Sequence, residues 1–339
     1  MAQHAQSAAT PVNWDVLALA RFVLAFVVVQ FHQVDFFVAD PVNSAVAAFG
    51  GKAAVVGFLM ISGFSIHASL ARDPRRFLLR RLRRIYPAYL VALGLCLVLQ
   101  WKLGVFAAPH GSFEPASPAL LACNAALLQM FACKAVAYDG AVWSLSIEFS
   151  FYVFALLLAA RLGQRALLAL AAASLVVFCL PPTLSDGAAY GLLMKFNAAK
   201  YLWAFVAGYL AYGRREAAFA FGLGAIAAAA FAISPLRGET LGPLTIAATA
   251  GVVWLAGQGG GPRSKLLNYL GDVSYPLYLV HLPIYIGLAG LFGVVDPAIL
   301  TLVALVGAVL VLEGVEKPVK QILDRVLASP AGAPKAAGA

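Results

Sequence analysis

The sequence predicts an all-α polytopic membrane protein of about ten transmembrane helices, with N- and C-termini cytoplasmic. Three observations carry this reading. Of 339 residues, 62% are hydrophobic, only 12% are charged, and the mean hydropathy is +0.87. A soluble domain holds about half apolar and about a quarter charged residues, so an ordinary soluble enzyme is excluded. The remaining polar and charged residues fall into short stretches between long apolar runs.

Runs able to span a bilayer, which needs about 20 apolar residues, lie at 14–38, 46–70, 85–106, 142–160, 166–180, 192–212, 217–233, 241–256, 273–291 and 298–315. The first lacks the basic flank and small-residue cleavage site of a removable signal, and is expected to stay as an anchor. The second joins the third through 71–84, where Arg72, Arg75, Arg76, Arg80, Arg81, Arg83 and Arg84 cluster. Such density marks the cytoplasmic side. By alternation Arg161, Arg165, Arg214, Arg215, Arg263, Lys265, Lys317, Lys320 and Arg325 fall on that same side. The loops at 40–52, 181–189, Arg237 and Asp296 carry few cations. Stretch 117–131 is apolar but too short to cross, so it is expected to be re-entrant or interfacial. The domain reading is an N-terminal tail over 1–13, one membrane domain over 14–328, and a disordered tail over 329–339 rich in Ala, Pro and Gly.

The formal charge of +9 therefore reports topology, and no nucleic-acid motif is present. Cys96 and Cys179 sit in spans, where a thiol acts as a small apolar group. Cys123 and Cys133 share one extramembrane segment and pair only if it faces an oxidising compartment. No His-x-x-x-His or Cys-x-x-Cys spacing suggests a metal.

Arg21 and His32 lie within the first run, where ionisable groups are costly and usually face a polar cavity. Eleven residues at 100° each bring the two to one helix face, about 16 Å apart along the axis. Arg21 is thus expected near the cytoplasmic surface and His32 in the opposite leaflet. Asp35 follows His32 by three, within reach of its imidazole. The competing reading has Arg21 snorkelling to the interface and His32 bonding a neighbouring helix.

Arg81, Arg84 and Tyr86 belong to a basic turn that opens the third span. Guanidinium forks suit phosphate groups, although anchoring or anionic-lipid binding also explains them. Trp143, Ser146 and Glu148 open the fourth span, and a carboxylate there needs a cation or a proton. Lys195, Lys200 and Arg21 are eligible, and the pairing is either structural or part of a site. Tyr278 and His281 share a face three residues apart in the ninth span, where a lone His is more often a hydrogen-bonding strut. Gly63, between Ser62 and Phe64, permits close helix approach, and His67 is near the basic loop.

Taken in order, these motifs resemble the membrane-bound acyltransferase-3 superfamily, integral membrane O-acyltransferases, in its stand-alone form. The Arg, ten residues, His signature matches Arg21 and His32, and Ser-Gly-Phe matches Ser62, Gly63 and Phe64. Arg-x-x-Arg-Ile-Tyr-Pro matches Arg81, Arg84, Ile85, Tyr86 and Pro87, and Trp-Ser-Leu-Ser-x-Glu runs from Trp143 to Glu148. Gly-x-x-Ser-Tyr-x-x-Tyr-Leu-x-His matches Gly271, Ser274, Tyr275, Tyr278, Leu279 and His281, and Glu-x-Pro matches Glu316 and Pro318. The chain departs at Val56, where many members carry an acid, and at Phe149, where a second Glu or a Gln is usual.

The resemblance implies transfer of an acyl group, most often acetyl, from a cytosolic acyl-CoA (acetyl-CoA) to a hydroxyl of an exported or cell-surface polysaccharide or glycolipid. Residue chemistry agrees with the resemblance: His32 is suited to act as general base, Asp35 to orient its ring, and Arg21 to bind the donor near its phosphates or offset developing charge. The co-substrate is transient and no permanent cofactor is expected. Expected partners are the bilayer, the donor, a carbohydrate acceptor, and a second copy or a glycan-synthesis complex; the expected location is the inner (plasma) membrane, multi-pass. A proton-coupled carrier of sugars or small acids would also place polar residues at membrane depth, and a scaffold of a synthesis complex would leave His32 and Arg21 without chemistry.

Overall fold

Asn13 starts the first helix, α1 (Trp14–Phe36), by accepting from the backbone N–H groups of Asp15 and Val16, a normal N-cap. Its amide also donates to the carbonyls of Gly260, Gly261 and Pro262 at 3.0–3.1 Å, so one residue ties the start of α1 to the loop at 260–262. In this computed structural model the described residues are 11–179, 197–213, 217–233 and 239–328. Most of the 1–13 tail, all of the 329–339 tail, the 181–189 loop, Lys195, Arg214, Arg215 and Arg237 lie outside them.

After α1 come α2 (Pro41–Ala47), α3 (Gly51–Arg72) and α4 (Phe77–Leu103). A small antiparallel hairpin of β1 (Phe106–Ala108) and β2 (Gly111–Phe113) and the short α5 (Pro118–Ala125) follow. A 3-10 turn (Ala137–Val142) leads into α6 (Trp143–Phe154), which continues as a π turn (Ala155–Ala159) into α7 (Gln164–Cys179). Then come α8 (Asn197–Ala211), α9 (Ala217–Ile233), α10 (Gly242–Gly257) and α11 (Lys265–Phe292). The described chain ends with α12 (Pro297–Val311), a second π turn (Leu312–Glu316) and α13 (Lys317–Ala328).

A helix stands in each of the ten predicted runs. Among the described residues, six helical segments are long and apolar enough to cross a bilayer: Trp14–Phe36, Gly51–Arg72, Phe77–Leu103, Ala137–Ala159, Lys265–Phe292 and Pro297–Arg325. Within 117–131 the regular helix is only α5, whose eight residues rise about 12 Å, far less than a hydrocarbon core. Its hairpin neighbour is the one piece of sheet among the described residues.

α1 packs along α11, and α3 lies along α8. Small residues set both approaches, as in other membrane bundles. A Cβ on Gly63 would meet the backbone of Phe205 and Tyr209, one on Gly208 the backbone of Met60, and one on Gly271 the Cβ and backbone of Ala18. Beyond His32, the Gln33 amide donates to the Tyr285 hydroxyl (2.9 Å), the Thr301 hydroxyl (2.8 Å) and the Pro297 carbonyl (3.2 Å). This fully buried hub locks the rotation of α1 against α11 and α12. At the same end Glu239 caps α3, accepting from the backbone N–H groups of Lys52 and Ala53 at 2.9 and 3.0 Å.

Candidate active site

Arg81 and Arg84 are three apart and therefore share a face of α4. That face closes a cavity of about 90 Å³ also lined by Arg21 of α1, Ser62 and Ser65 of α3, Ser144, Glu148 and Tyr152 of α6, and Ser274, Tyr275 and Tyr278 of α11. The other arginines of the turn are engaged elsewhere. Arg80 pairs with Asp73 at 2.8 Å, and Arg83 forms an ion pair with Asp324 of α13. The basic cluster is thus divided by helical phase into groups that fasten the surface and groups that face the cavity.

Inside, Glu148 accepts from the Tyr152 hydroxyl one turn later at 2.7 Å. The Arg81 guanidinium lies over the Phe77 and Tyr152 rings, 5.4 and 5.8 Å from their centroids. Nε of Arg21, Nε of Arg81 and Oγ of Ser65 are buried without a hydrogen-bond partner among the described residues. Buried donors left unpaired are costly, so the cavity offers donors to a guest. Its charged lining is three guanidinium groups to one carboxylate, and that balance favours an anionic one.

Tyr278 and Phe58, whose ring centroids lie 5.8 Å apart, line this cavity; His32 does not. The Tyr278 hydroxyl donates to the Ala141 carbonyl at 2.8 Å and lies 2.7 Å from Ser144 Oγ. With its proton committed to Ala141, Tyr278 accepts from Ser144. One turn along α11, with its ring centroid 6.2 Å from that of Tyr278, is His281, fully buried. Its Nε2 is 2.8 Å from Nδ1 of His32. His32 is half-buried and packs between Phe31 and Phe36. Its Nε2 has no hydrogen-bond partner among the described residues.

Asp35, which local spacing offers as the orienting partner of His32, is exposed and makes no hydrogen bond to it. The helix turns it outward, and His281 occupies that place instead. Tyr86 does not reach the cavity and donates to the Ala125 carbonyl at 3.0 Å. Ser146 bonds back to the Trp143 carbonyl at 3.1 Å, and Trp143 packs on Tyr201. Of the cations eligible to face Glu148, Arg21 does so across the cavity. His67 stacks on Tyr209 and contacts its carbonyl at 2.6 Å, away from the site.

Tyr152 follows the Trp143–Glu148 motif in the sequence without a role read for it, although its position four after Glu148 on one face is legible. Tyr275 belongs to the Gly271–His281 motif, which by itself assigns it no role. Its hydroxyl donates to the Ile85 carbonyl at 2.9 Å and fastens α11 to α4 beside Arg84. Among the described residues no group of three or more His, Cys, Asp or Glu could hold a metal.

No curated protein and no solved structure matches the chain. An acyltransferase domain of the acyltransferase-3 family matches residues 14–312, which span α1 to the second π turn and include the cavity and both histidines. The chain is a multi-pass membrane protein and belongs to the acyltransferase-3 family of membrane acyltransferases.

Proposed function

We propose that this protein is an O-acyltransferase of the inner (plasma) membrane. It moves an acyl group, most often acetyl, from cytosolic acyl-CoA to a hydroxyl of an exported or cell-surface polysaccharide or glycolipid. The observation that carries the proposal is the convergence of Arg21, Arg81 and Arg84 on one buried cavity with unpaired donors. Phosphate-bearing donors are the guests such a lining favours.

Arg21 and His32 lie on one helix about 16 Å apart along its axis, so phosphates held at the arginines leave a narrow arm to carry the thioester toward His32. His32 takes the proton of the acceptor hydroxyl as that oxygen bonds to the thioester carbonyl carbon. The carbon–sulfur bond breaks, the sulfur departs, and His32 returns the proton to it. Arg21 offsets negative charge on the donor.

The proposed orientation, with the 71–84 loop and both termini cytoplasmic, gains support from the disulfide between Cys123 and Cys133, whose Cα atoms are 6.5 Å apart. Disulfides persist in oxidising compartments. That segment follows α4, which would start at the cytosolic basic loop and end outside. Mass spectrometry of surface glycans from cells with and without the protein tests the proposal. Loss of an acyl mass is expected on deletion, and unchanged glycans together with altered uptake of sugars or acids would favour a carrier instead.

A further inference from the structure

We propose that His281 is a positioning residue that fixes the tautomer of His32 and, through the Nδ1 proton between the two rings, shares the positive charge His32 gains when its Nε2 removes a proton. The inference rests on reading His32 as the base and adds the chain of bonds behind it. His281 Nδ1 is 3.1 Å from the Leu277 carbonyl, and a carbonyl only accepts, so Nδ1 carries the proton. In a neutral imidazole the other nitrogen is then a lone pair. His281 Nε2 is that lone pair, and it faces His32 Nδ1 at 2.8 Å. The proton between the rings therefore belongs to His32 Nδ1, and the lone pair of His32 lies on Nε2, which has no hydrogen-bond partner among the described residues.

Ring geometry agrees. The planes are within 5° and the centroids 5.1 Å apart. With a nitrogen contact of 2.8 Å, that separation puts the rings edge to edge, so the hydrogen bond runs along the in-plane lone pair. The anchor is rigid. Leu277, His281 and Tyr285 are all fully buried, the His281 and Tyr285 rings meet edge to face at 5.8 Å, and Tyr285 receives the Gln33 amide.

When His32 Nε2 removes the acceptor's proton, its Nδ1–H···Nε2 bond to His281 becomes charge-assisted. The Nδ1 proton can shift along it and return when Nε2 reprotonates the departing sulfur. Nothing is gained or lost in the pair over a turnover. This is the arrangement of a histidine base with an orienting acceptor behind it, with a second imidazole in place of a carboxylate.

The test measures kcat and donor KM of the purified full-length protein with acetyl coenzyme A and a hydroxyl acceptor, for His281→Ala, His281→Gln and His32→Ala, each checked for wild-type thermal stability. The expected result is a fall in kcat of about 10²–10⁴-fold for His281→Ala with donor KM unchanged. His281→Gln, whose Oε1 can accept from His32 Nδ1, is expected to recover at least tenfold of it. Equal losses in both variants, a wild-type kcat in either, or a loss appearing only in KM overturns the inference. Should the Ala variant fail to fold, the Gln variant decides: kcat reduced below wild type but at least tenfold above His32→Ala supports it, and any other value overturns it. An active His32→Ala protein ends the base assignment itself, whereas an inactive one beside a fully active His281→Ala ends this inference alone.

Discussion

At the scale of single residues the chemistry rests on which atoms are left unpaired. Among the described residues, His32 has one nitrogen committed to His281 and the other without a hydrogen-bond partner, as the proposed base requires, and replacing it with Ala is expected to lower acyl transfer by at least ~10²-fold at unchanged expression. Near-normal turnover would end that assignment. Arg81 and Arg84 face the cavity while Arg80 and Arg83 are tied to Asp73 and Asp324. The double replacement Arg81→Lys with Arg84→Lys keeps charge and topology but removes the guanidinium fork. Donor KM is expected to rise with kcat little changed, whereas Arg80→Lys is expected to leave KM unaltered; equal donor affinity in the double variant contradicts a phosphate role. Asp35 was the natural partner for His32 by local spacing. The partner found is 249 residues away, a contact that periodicity in one helix cannot reveal.

At the scale of elements, the apolar runs made the helices readable, since each run long enough to span forms one. The Arg-x-x-Arg spacing marked Arg81 and Arg84 as a phosphate-type pair, and on a helix that spacing puts both on one face. What local pattern could not say is which helices meet. The pairing of α3 with α8 depends on Gly63 and Gly208, each lying against the other helix's backbone. Gly63 was visible as a small residue, but its opposite number was not. Gly63→Ala is expected to destabilise the fold by about 1–3 kcal/mol, the range for overpacking a close contact, read as a lower midpoint of thermal unfolding in detergent. An unchanged midpoint would mean that the two backbones are not in contact. The disulfide was open in the sequence because spacing alone does not fix Cα separation.

At the scale of the whole molecule, the proposed orientation puts the arginine-lined cavity on the cytosolic side and the Cys123–Cys133 segment outside. Single cysteines introduced into a background with Cys96 and Cys179 replaced by Ala test this in intact cells. Ser112→Cys, exposed on the hairpin, is expected to react with an impermeant maleimide, and Arg76→Cys only after permeabilisation; the reverse pattern would invert the orientation and separate the arginines from a cytosolic donor. The central claim is that this cavity and His32 together pass an acyl group from coenzyme A to a hydroxyl. Its most direct measurement is acetyl transfer from radiolabelled acetyl coenzyme A by the purified protein, with a soluble hydroxyl acceptor, run beside His32→Ala. Label is expected on the acceptor hydroxyl with the wild-type protein and ~10²-fold less or lower with the variant. Equal labelling by both proteins, or no labelling while the protein carries a sugar or acid across a vesicle membrane, would contradict it.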